Sequence, residues 1–78
     1  MNITVYSKNG CPYCDKIKSV LEQRNLSFEY QILDVHFTRD EFYSQFGDGS
    51  TFPQVVIDGN NIGGCSSSVK YMMENNII

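Results

Sequence analysis

Cys11-Pro12-Tyr13-Cys14 is the stretch that decides the fold, because it joins a strand pattern to a helical one. An apolar-rich run over residues 3–6 precedes it, and a helical pattern follows it. If a helix begins at Pro12, Cys11 lies at its N-terminal edge, where unpaired backbone N–H groups and the helix dipole stabilise a thiolate. Cys14 then lies one turn further along the same side, within reach of a disulfide bond to Cys11. The stretch therefore predicts a thiol pair suited to disulfide exchange.

The first half of the chain predicts two strands and two helices around this stretch. Residues 3–6 indicate a strand, and apolar residues at helical spacing indicate a helix over residues 12–24. Alternating apolar residues from Phe28 to Leu33 indicate a second strand. Thr38 followed by Glu41 is a capping box, which predicts the start of a second helix. Core or half-buried packing is expected for Tyr30, Phe42, Tyr43, Phe46, Met72 and Met73.

The second half predicts a hairpin and a last helix. Residues 55–57 indicate a strand, and residues 58–61 a tight turn into a short strand at Ile62. The serines Ser66 to Ser68 are predicted to cap the final helix. The predicted order is β-α-β-α-β-β-α, an α/β chain in a single domain over residues 1–78.

Composition excludes several classes of function. The formal net charge of −3 argues against binding nucleic acid or an anionic membrane, since both need a basic surface. Hydrophobic content of 41% and charged content of 19% suit an ordinary globular domain, and no apolar run has the length of a membrane span. The first strand pattern begins almost at Met1, so no signal peptide is expected and a cytoplasmic location is predicted. In that reducing compartment, three cysteines do not indicate a structural disulfide framework.

Three motifs together resemble the glutaredoxin family, which has the thioredoxin-like fold. They occur in the family's order and spacing and extend over nearly the whole chain: Lys8 with Cys11-Pro12-Tyr13-Cys14, then Thr51-Phe52-Pro53, then Gly63-Gly64-Cys65. The resemblance implies a four-stranded mixed sheet flanked by three helices. It also implies reduction of protein disulfides and glutathione mixed disulfides, with glutathione as the reducing co-substrate and no tightly bound cofactor. Expected partners are disulfide-containing or glutathionylated proteins, with ribonucleotide reductase as a family-level example, and the chain is expected to be a monomer.

The resemblance makes Cys11 the nucleophile and Cys14 the resolving thiol. A CxxC pair can alternatively supply half of a zinc site, but a structural zinc needs four ligands. Only His36 and Cys65 remain as further candidates, and neither belongs to a second ligand pair. No metal is therefore expected.

Lys8, Tyr13 and Arg39 are the candidate ligand residues outside the other two motifs. The charge of Lys8 can favour the Cys11 thiolate and attract a carboxylate of glutathione, although a solvated surface lysine is the alternative. Tyr13 is expected to be exposed, with its ring against the ligand, or else to be a partly buried aromatic. Arg39 lies in the first turn of the second helix, where a cation opposes the helix dipole. The resemblance implies that Arg39 binds the glycyl carboxylate of glutathione. The alternative is that Arg39 is a surface arginine without a function.

Thr51-Phe52-Pro53 is expected to bind an extended part of the substrate. The resemblance implies a cis Phe52–Pro53 bond, which propensity alone does not predict. The backbone N–H and C=O of Phe52 would then pair with a substrate segment as a short added strand. Family members more often carry a smaller aliphatic residue in place of Phe52, so the wall of the site is expected to differ here.

The resemblance implies that Gly63-Gly64-Cys65-Ser66 holds the γ-glutamyl end of glutathione. Glycines let the backbone approach a ligand closely, and the free N–H groups of Cys65 and Ser66 would bind a carboxylate at a helix start. Family members commonly have Asp in place of Ser66, where it meets the glutathione amine. The Cys65 side chain is expected to be a small buried packing residue.

Two other functions compete with this prediction. One is a glutaredoxin-like hydrogen donor that a thioredoxin-reductase-type flavoenzyme recharges. Ser66 favours it, whereas Lys8, Arg39 and the Gly63-Gly64-Cys65 motif oppose it. The other is an iron–sulfur cluster carrier that uses Cys11 and glutathione across a dimer. Related carriers usually lack the second thiol and the proline, so the complete Cys-Pro-Tyr-Cys motif counts against it.

Overall fold

The computed structural model describes all residues from Met1 to Ile78. Its seven elements follow the predicted order, β-α-β-α-β-β-α. Their bounds are β1 Ile3–Ser7, α1 Pro12–Gln23, β2 Glu29–Ile32, α2 Arg39–Phe46, β3 Gln54–Ile57, β4 Asn60–Gly63 and α3 Cys65–Glu74. No helix combines the length and the apolar character that a membrane crossing requires.

The four strands form one mixed sheet in the order β2-β1-β3-β4. β1 and β2 run parallel, because α1 carries the chain back between them. β3 runs antiparallel to both β1 and β4. The predicted four-stranded mixed sheet with three helices, the thioredoxin-like arrangement, is confirmed.

Two helix starts were predicted from local sequence, and both are present. Pro12 is the first residue of α1, where a missing N–H costs nothing. At α2, Thr38 Oγ1 accepts a hydrogen bond from the Glu41 N–H at 3.2 Å. The Glu41 carboxylate accepts one from the Thr38 N–H at 2.9 Å, which completes the capping box. Both starts therefore agree with what the local sequence predicts.

The two faces of the sheet carry different cores, because successive strand residues point to opposite sides. Val5 belongs to an aliphatic cluster shared with α1 and α3, whose buried members are Ile3, Val5, Ile17, Leu21, Val55, Ile57, Cys65 and Met72. Tyr6 points to the opposite face and packs against an aromatic cluster built around α2. The members of this cluster are Leu33, Phe37 and Phe42 with Tyr43, Phe46 and Phe52 packed against them. The helix that bears the Cys pair therefore packs on the aliphatic side of the sheet.

The turn between β3 and β4 is shorter than the predicted residues 58–61. Asp58 and Gly59 form it alone, with φ angles of 51° and 82°, and β4 already begins at Asn60. Two successive residues with positive φ match the twist of the flanking strands, which favours a two-residue hairpin.

The start of α3 also differs from the prediction that Ser66 to Ser68 cap it. The helix begins at Cys65, and its N-cap is Gly64, which makes no side-chain cap bond. Gly63 has a φ of 115° and turns the chain from β4 almost directly into the helix, so the serines fall inside the first turn. Ser68 is buried, and its hydroxyl donates to the Gly63 carbonyl at 3.3 Å.

The prediction that Met73 packs in the core is wrong. Its exposed fraction is 61%, whereas Met72 is fully buried. The buried residues of α3 are Cys65, Ser68 and Met72, which form one stripe at helical spacing. Adjacent helical residues point about 100° apart, so the rotation of α3 that buries Met72 turns Met73 away from the sheet.

Candidate functional site

The Cys pair lies where the chain passes from β1 into α1. Cys11 is the N-cap residue of α1, and Cys14 lies in its first turn. Their Cα atoms are 5.2 Å apart and their sulfurs are joined in a disulfide. The backbone N–H of Cys14 donates to Cys11 Sγ at 3.2 Å. A helix start leaves this N–H without a backbone partner, so in the reduced protein it is available to stabilise a Cys11 thiolate.

The two sulfur-bearing residues differ in accessibility. Cys11 keeps 6% of its surface exposed, whereas Cys14 has none. Disulfide exchange requires an in-line approach of the attacking thiolate to a sulfur atom. An external thiol or disulfide can therefore meet the pair at Cys11, and Cys14 is reachable from within the protein.

An open groove of about 220 Å³ adjoins the Cys pair at Tyr13. Three segments that are distant in sequence line it: Tyr13 from α1, Thr51, Phe52 and Pro53 before β3, and Gly64, Cys65, Ser66 and Ser67 at the start of α3. Seven of the nine predicted ligand residues are in this lining, all except Lys8 and Arg39. Tyr13 is 62% exposed, as expected, and Cys65 is buried, as expected.

The start of α3 presents backbone N–H groups to this groove. The first N–H to bond back along the chain is that of Ser68, which donates to the Gly64 carbonyl at 2.9 Å. The N–H groups of residues 65–67 precede it and have no acceptor in a preceding turn, and Gly64 supplies no side chain to cap them. Such an end carries a partial positive charge and suits an anion.

Phe52 offers unpaired backbone on the opposite side of the groove. The Phe52–Pro53 bond is cis, as the family resemblance implied. Neither the N–H nor the C=O of Phe52 makes a hydrogen bond within the chain. These groups are therefore available to an extended segment placed in the groove.

Lys8 and Arg39 lie outside the lining of the groove, and only Lys8 contacts it. Lys8 Nζ sits 5.4 Å from the centre of the Phe52 ring, over its face. The Arg39 guanidinium is exposed and donates to the Tyr43 hydroxyl at 3.5 Å, one turn along α2. The structure thus brings Lys8 to the site through an aromatic contact and leaves Arg39 on the neighbouring helix.

Comparison with known proteins agrees with this geometry. The family model described as glutaredoxin matches residues 3–62, which include the Cys pair and the Thr51–Pro53 segment. The chain belongs to the glutaredoxin family. Glutaredoxins are thiol–disulfide oxidoreductases, so the predicted class of enzyme is confirmed at the level of the family.

A curated relative among the glutaredoxins is glutaredoxin 1 of Rickettsia conorii. It is 38% identical over 68 residues, covering 83% of this chain and 66% of its own. The chain thus spans about two thirds of the length of that relative.

Two solved glutaredoxin structures have the same fold. Glutaredoxin 1 from Francisella tularensis, crystallised with cacodylate, is 31% identical and superposes with a TM-score of 0.79 over 97% of this chain and 95% of its own. A buckwheat glutaredoxin–glutathione complex is 29% identical, with a TM-score of 0.68 over 94% of this chain and 69% of its own.

The glutaredoxin groove also contains residues that the sequence analysis missed. Ser67 lines it, and the rule that the first four N–H groups of a helix, counted from its N-cap, lack partners would have found it once the helix start was known. Phe42 supports the groove from α2 by stacking on Phe52 at a centroid distance of 4.1 Å. No local pattern predicts this contact, because it joins two segments that meet only in the folded chain.

The side chains of His, Cys, Asp and Glu form no group of three or more that could hold a metal ion.

Proposed function

We propose that this glutaredoxin reduces protein disulfides and glutathione mixed disulfides, with glutathione as the electron source. One observation carries the proposal: Cys11, the cysteine of the pair that keeps some exposure, is the N-cap of a helix, and a groove with free backbone N–H groups adjoins the pair at Tyr13. The fold it shares with a glutaredoxin solved in complex with glutathione supports the same ligand here.

With a glutathione mixed disulfide, Cys11 alone performs the exchange. Its thiolate attacks the glutathione sulfur, the substrate thiolate leaves and takes a proton from water, and a Cys11–glutathione disulfide forms. The thiolate of a second glutathione then attacks the sulfur of the bound one. This step releases glutathione disulfide and restores the Cys11 thiolate, so the net reaction consumes one free glutathione and yields the substrate thiol and glutathione disulfide.

With a protein disulfide, both cysteines take part. Cys11 forms a mixed disulfide with one substrate sulfur and the other leaves as a thiol. Cys14 then loses its proton and attacks the Cys11 sulfur, which releases the second substrate thiol and closes the Cys11–Cys14 disulfide. The Cα separation of 5.2 Å permits this closure. Two glutathiones reduce the disulfide and leave as glutathione disulfide.

The groove suggests how glutathione binds. The γ-glutamyl carboxylate would meet the N–H groups of Cys65 and Ser66, and the cysteinyl backbone would pair with that of Phe52. Lys8 and Arg39 would attract the glycyl carboxylate. Tyr13, Thr51, Pro53 and Gly64 would form the walls.

Ser66 is the observation that favours a second candidate, recharging by a thioredoxin-reductase-type flavoenzyme. Its hydroxyl replaces the carboxylate that would neutralise the glutathione amine, so glutathione would be held more weakly.

A coupled assay separates the two candidates: NADPH oxidation is followed with glutathione plus glutathione reductase, and separately with thioredoxin reductase. The proposal requires faster turnover with glutathione. Turnover with thioredoxin reductase alone would replace it with the second candidate.

Substitutions of Arg39 and Ser66 are expected to move the glutathione requirement in opposite directions. Arg39→Glu should raise it, by up to about fivefold at low salt and less at high salt, because exposed charge pairs are weak and screened. Ser66→Asp should lower it by supplying a counter-charge for the amine. The apparent KM for glutathione with a small mixed-disulfide substrate measures both.

Arg24→Glu is the matched control for the charge reversal. Arg24 is exposed at the C-terminal end of α1, at the opposite end of that helix from Cys11. The Arg24→Glu substitution should leave the glutathione requirement unchanged. An equal rise in the Arg24→Glu and Arg39→Glu variants would indicate a general charge effect, and no change in Arg39→Glu or Ser66→Asp would contradict the proposed mode of binding.

A further inference from the structure

Phe52 is held rigidly by the aromatic cluster beneath the groove. Its ring stacks on Phe42 at a centroid distance of 4.1 Å with planes 12° apart. Phe37 lies nearly parallel to it, with the centroids 6.3 Å apart and the planes at 21°. Phe42 is almost fully buried and belongs to α2, so the position of the Phe52 ring follows that of the helix.

A cation lies over the Phe52 ring where the ring borders the groove. Phe42 occupies one face of Phe52, and Lys8 Nζ lies over the ring 5.4 Å from its centre. Lys8 makes no ion pair with a carboxylate, and its ammonium contacts the Phe52 ring. A protonated amine above an aromatic face is attracted by the ring quadrupole. The contact ties a flexible side chain from the end of β1 to a ring that borders the groove.

We propose that Phe52 is a positioning residue that holds the Lys8 ammonium at the edge of the groove and thereby tightens the binding of an anionic thiol such as glutathione. The inference rests on the proposed function, because it assigns Lys8 to the carboxylate of that ligand. Phe52 acts through Lys8 rather than through the chemistry at Cys11. A smaller aliphatic residue at this position would offer no ring face to the amine.

The physical reason is the entropy of the lysine side chain. A free lysine loses rotamer freedom when it binds a carboxylate, and a lysine already held in place loses less. An exposed cation–π contact is weak, so replacing the ring should raise the glutathione requirement by only about two- to fivefold. The maximal turnover rate should change little, because no reacting atom is touched.

The contact has a spectroscopic signature that is independent of activity. Protons over an aromatic face resonate upfield, so the ε-methylene protons of Lys8 should be shifted upfield and should return towards the solvated-lysine position in Phe52→Leu. Phe52→Tyr should keep the shift. The chain supplies a matched control, because Lys18 Nζ lies 4.9 Å over the ring of Tyr30, in β2. Tyr30→Leu should move the Lys18 signal and leave that of Lys8 in place.

A double-mutant cycle tests the consequence for binding. The apparent KM for glutathione should rise in Phe52→Leu, stay near the wild-type value in Phe52→Tyr, and be unchanged in Tyr30→Leu. In a Lys8→Met background, Phe52→Leu should have no further effect, because the amine it positions is gone. Urea unfolding of each variant checks that a folded protein is being compared.

The outcomes distinguish this inference from the proposed function. If glutathione does not reduce the wild type, the proposed function fails, and the Lys8 proton shifts still report whether Phe52 holds the amine. If glutathione does reduce the wild type, the inference is overturned when the chemical shifts of the Lys8 ε-methylene protons are the same in Phe52→Leu as in the wild type. The same KM rise for Phe52→Leu with and without Lys8 also overturns it, since the ring would then act by direct contact or through the fold.

Discussion

The Cys11→Ser variant is expected to lose all exchange activity with both mixed-disulfide and protein-disulfide substrates. A hydroxyl is not ionised near neutral pH and cannot attack a disulfide sulfur. Cys14 cannot substitute for Cys11, because it is fully buried. The measurement is the rate of glutathione release from a small mixed disulfide, together with the rate of reduction of a protein disulfide.

Cys14→Ser is the matched variant to Cys11→Ser, because it also replaces a cysteine sulfur with oxygen, one helical turn away. It should retain most of the mixed-disulfide activity, which needs one thiol, and lose most of the protein-disulfide activity, which needs two. A trapped Cys11–substrate disulfide should accumulate in the second reaction and be visible by mass. If Cys14→Ser proved as inactive as Cys11→Ser on the mixed disulfide, the roles assigned to the two thiols would be wrong.

Met72→Ala is expected to lower the free energy of unfolding by about 2–5 kcal/mol, since it removes a fully buried side chain from the aliphatic core. That is a large share of the total for a domain of this size, about 4–12 kcal/mol. Met73→Ala, one residue along the same helix, should change it by less than about 0.5 kcal/mol, because that side chain is 61% exposed.

Urea unfolding of both methionine variants provides the comparison, with the Cys pair kept in one redox state throughout. The midpoint of Met72→Ala should fall by about 1–2 M, and that of Met73→Ala should stay close to the wild type. Similar losses in both variants would mean that α3 packs on the sheet in a different rotation from the one described.

Local patterns predicted the parts of the fold that depend on a few neighbouring residues. Pro12 at the start of α1 and the Thr38–Glu41 capping box are examples, because each is decided by bonds within one helical turn. The start of α3 was missed because a run of serines offers several equivalent caps. What decides between them is the positive φ of Gly63 at the end of β4, a property of the hairpin and not of the serines. Met73 was missed for a related reason, since the rotation of α3 about its axis depends on how it packs against the sheet.

The candidate site divides in the same way. By itself, the sequence determined the Cys pair at a helix start, because thiol chemistry depends on residue type and on spacing within a few positions. The motifs before β3 and at α3 were assigned to the site by their resemblance to the glutaredoxin family. Only the tertiary structure decided that Cys14 is fully buried while Cys11 keeps 6% of its surface exposed, and that Phe42 stacks on the ring that Lys8 contacts. These are contacts between segments far apart in the chain. Their geometry depends on how the four strands pair and on how α2 packs against the aromatic face of the sheet. A short stretch of sequence carries no information about either.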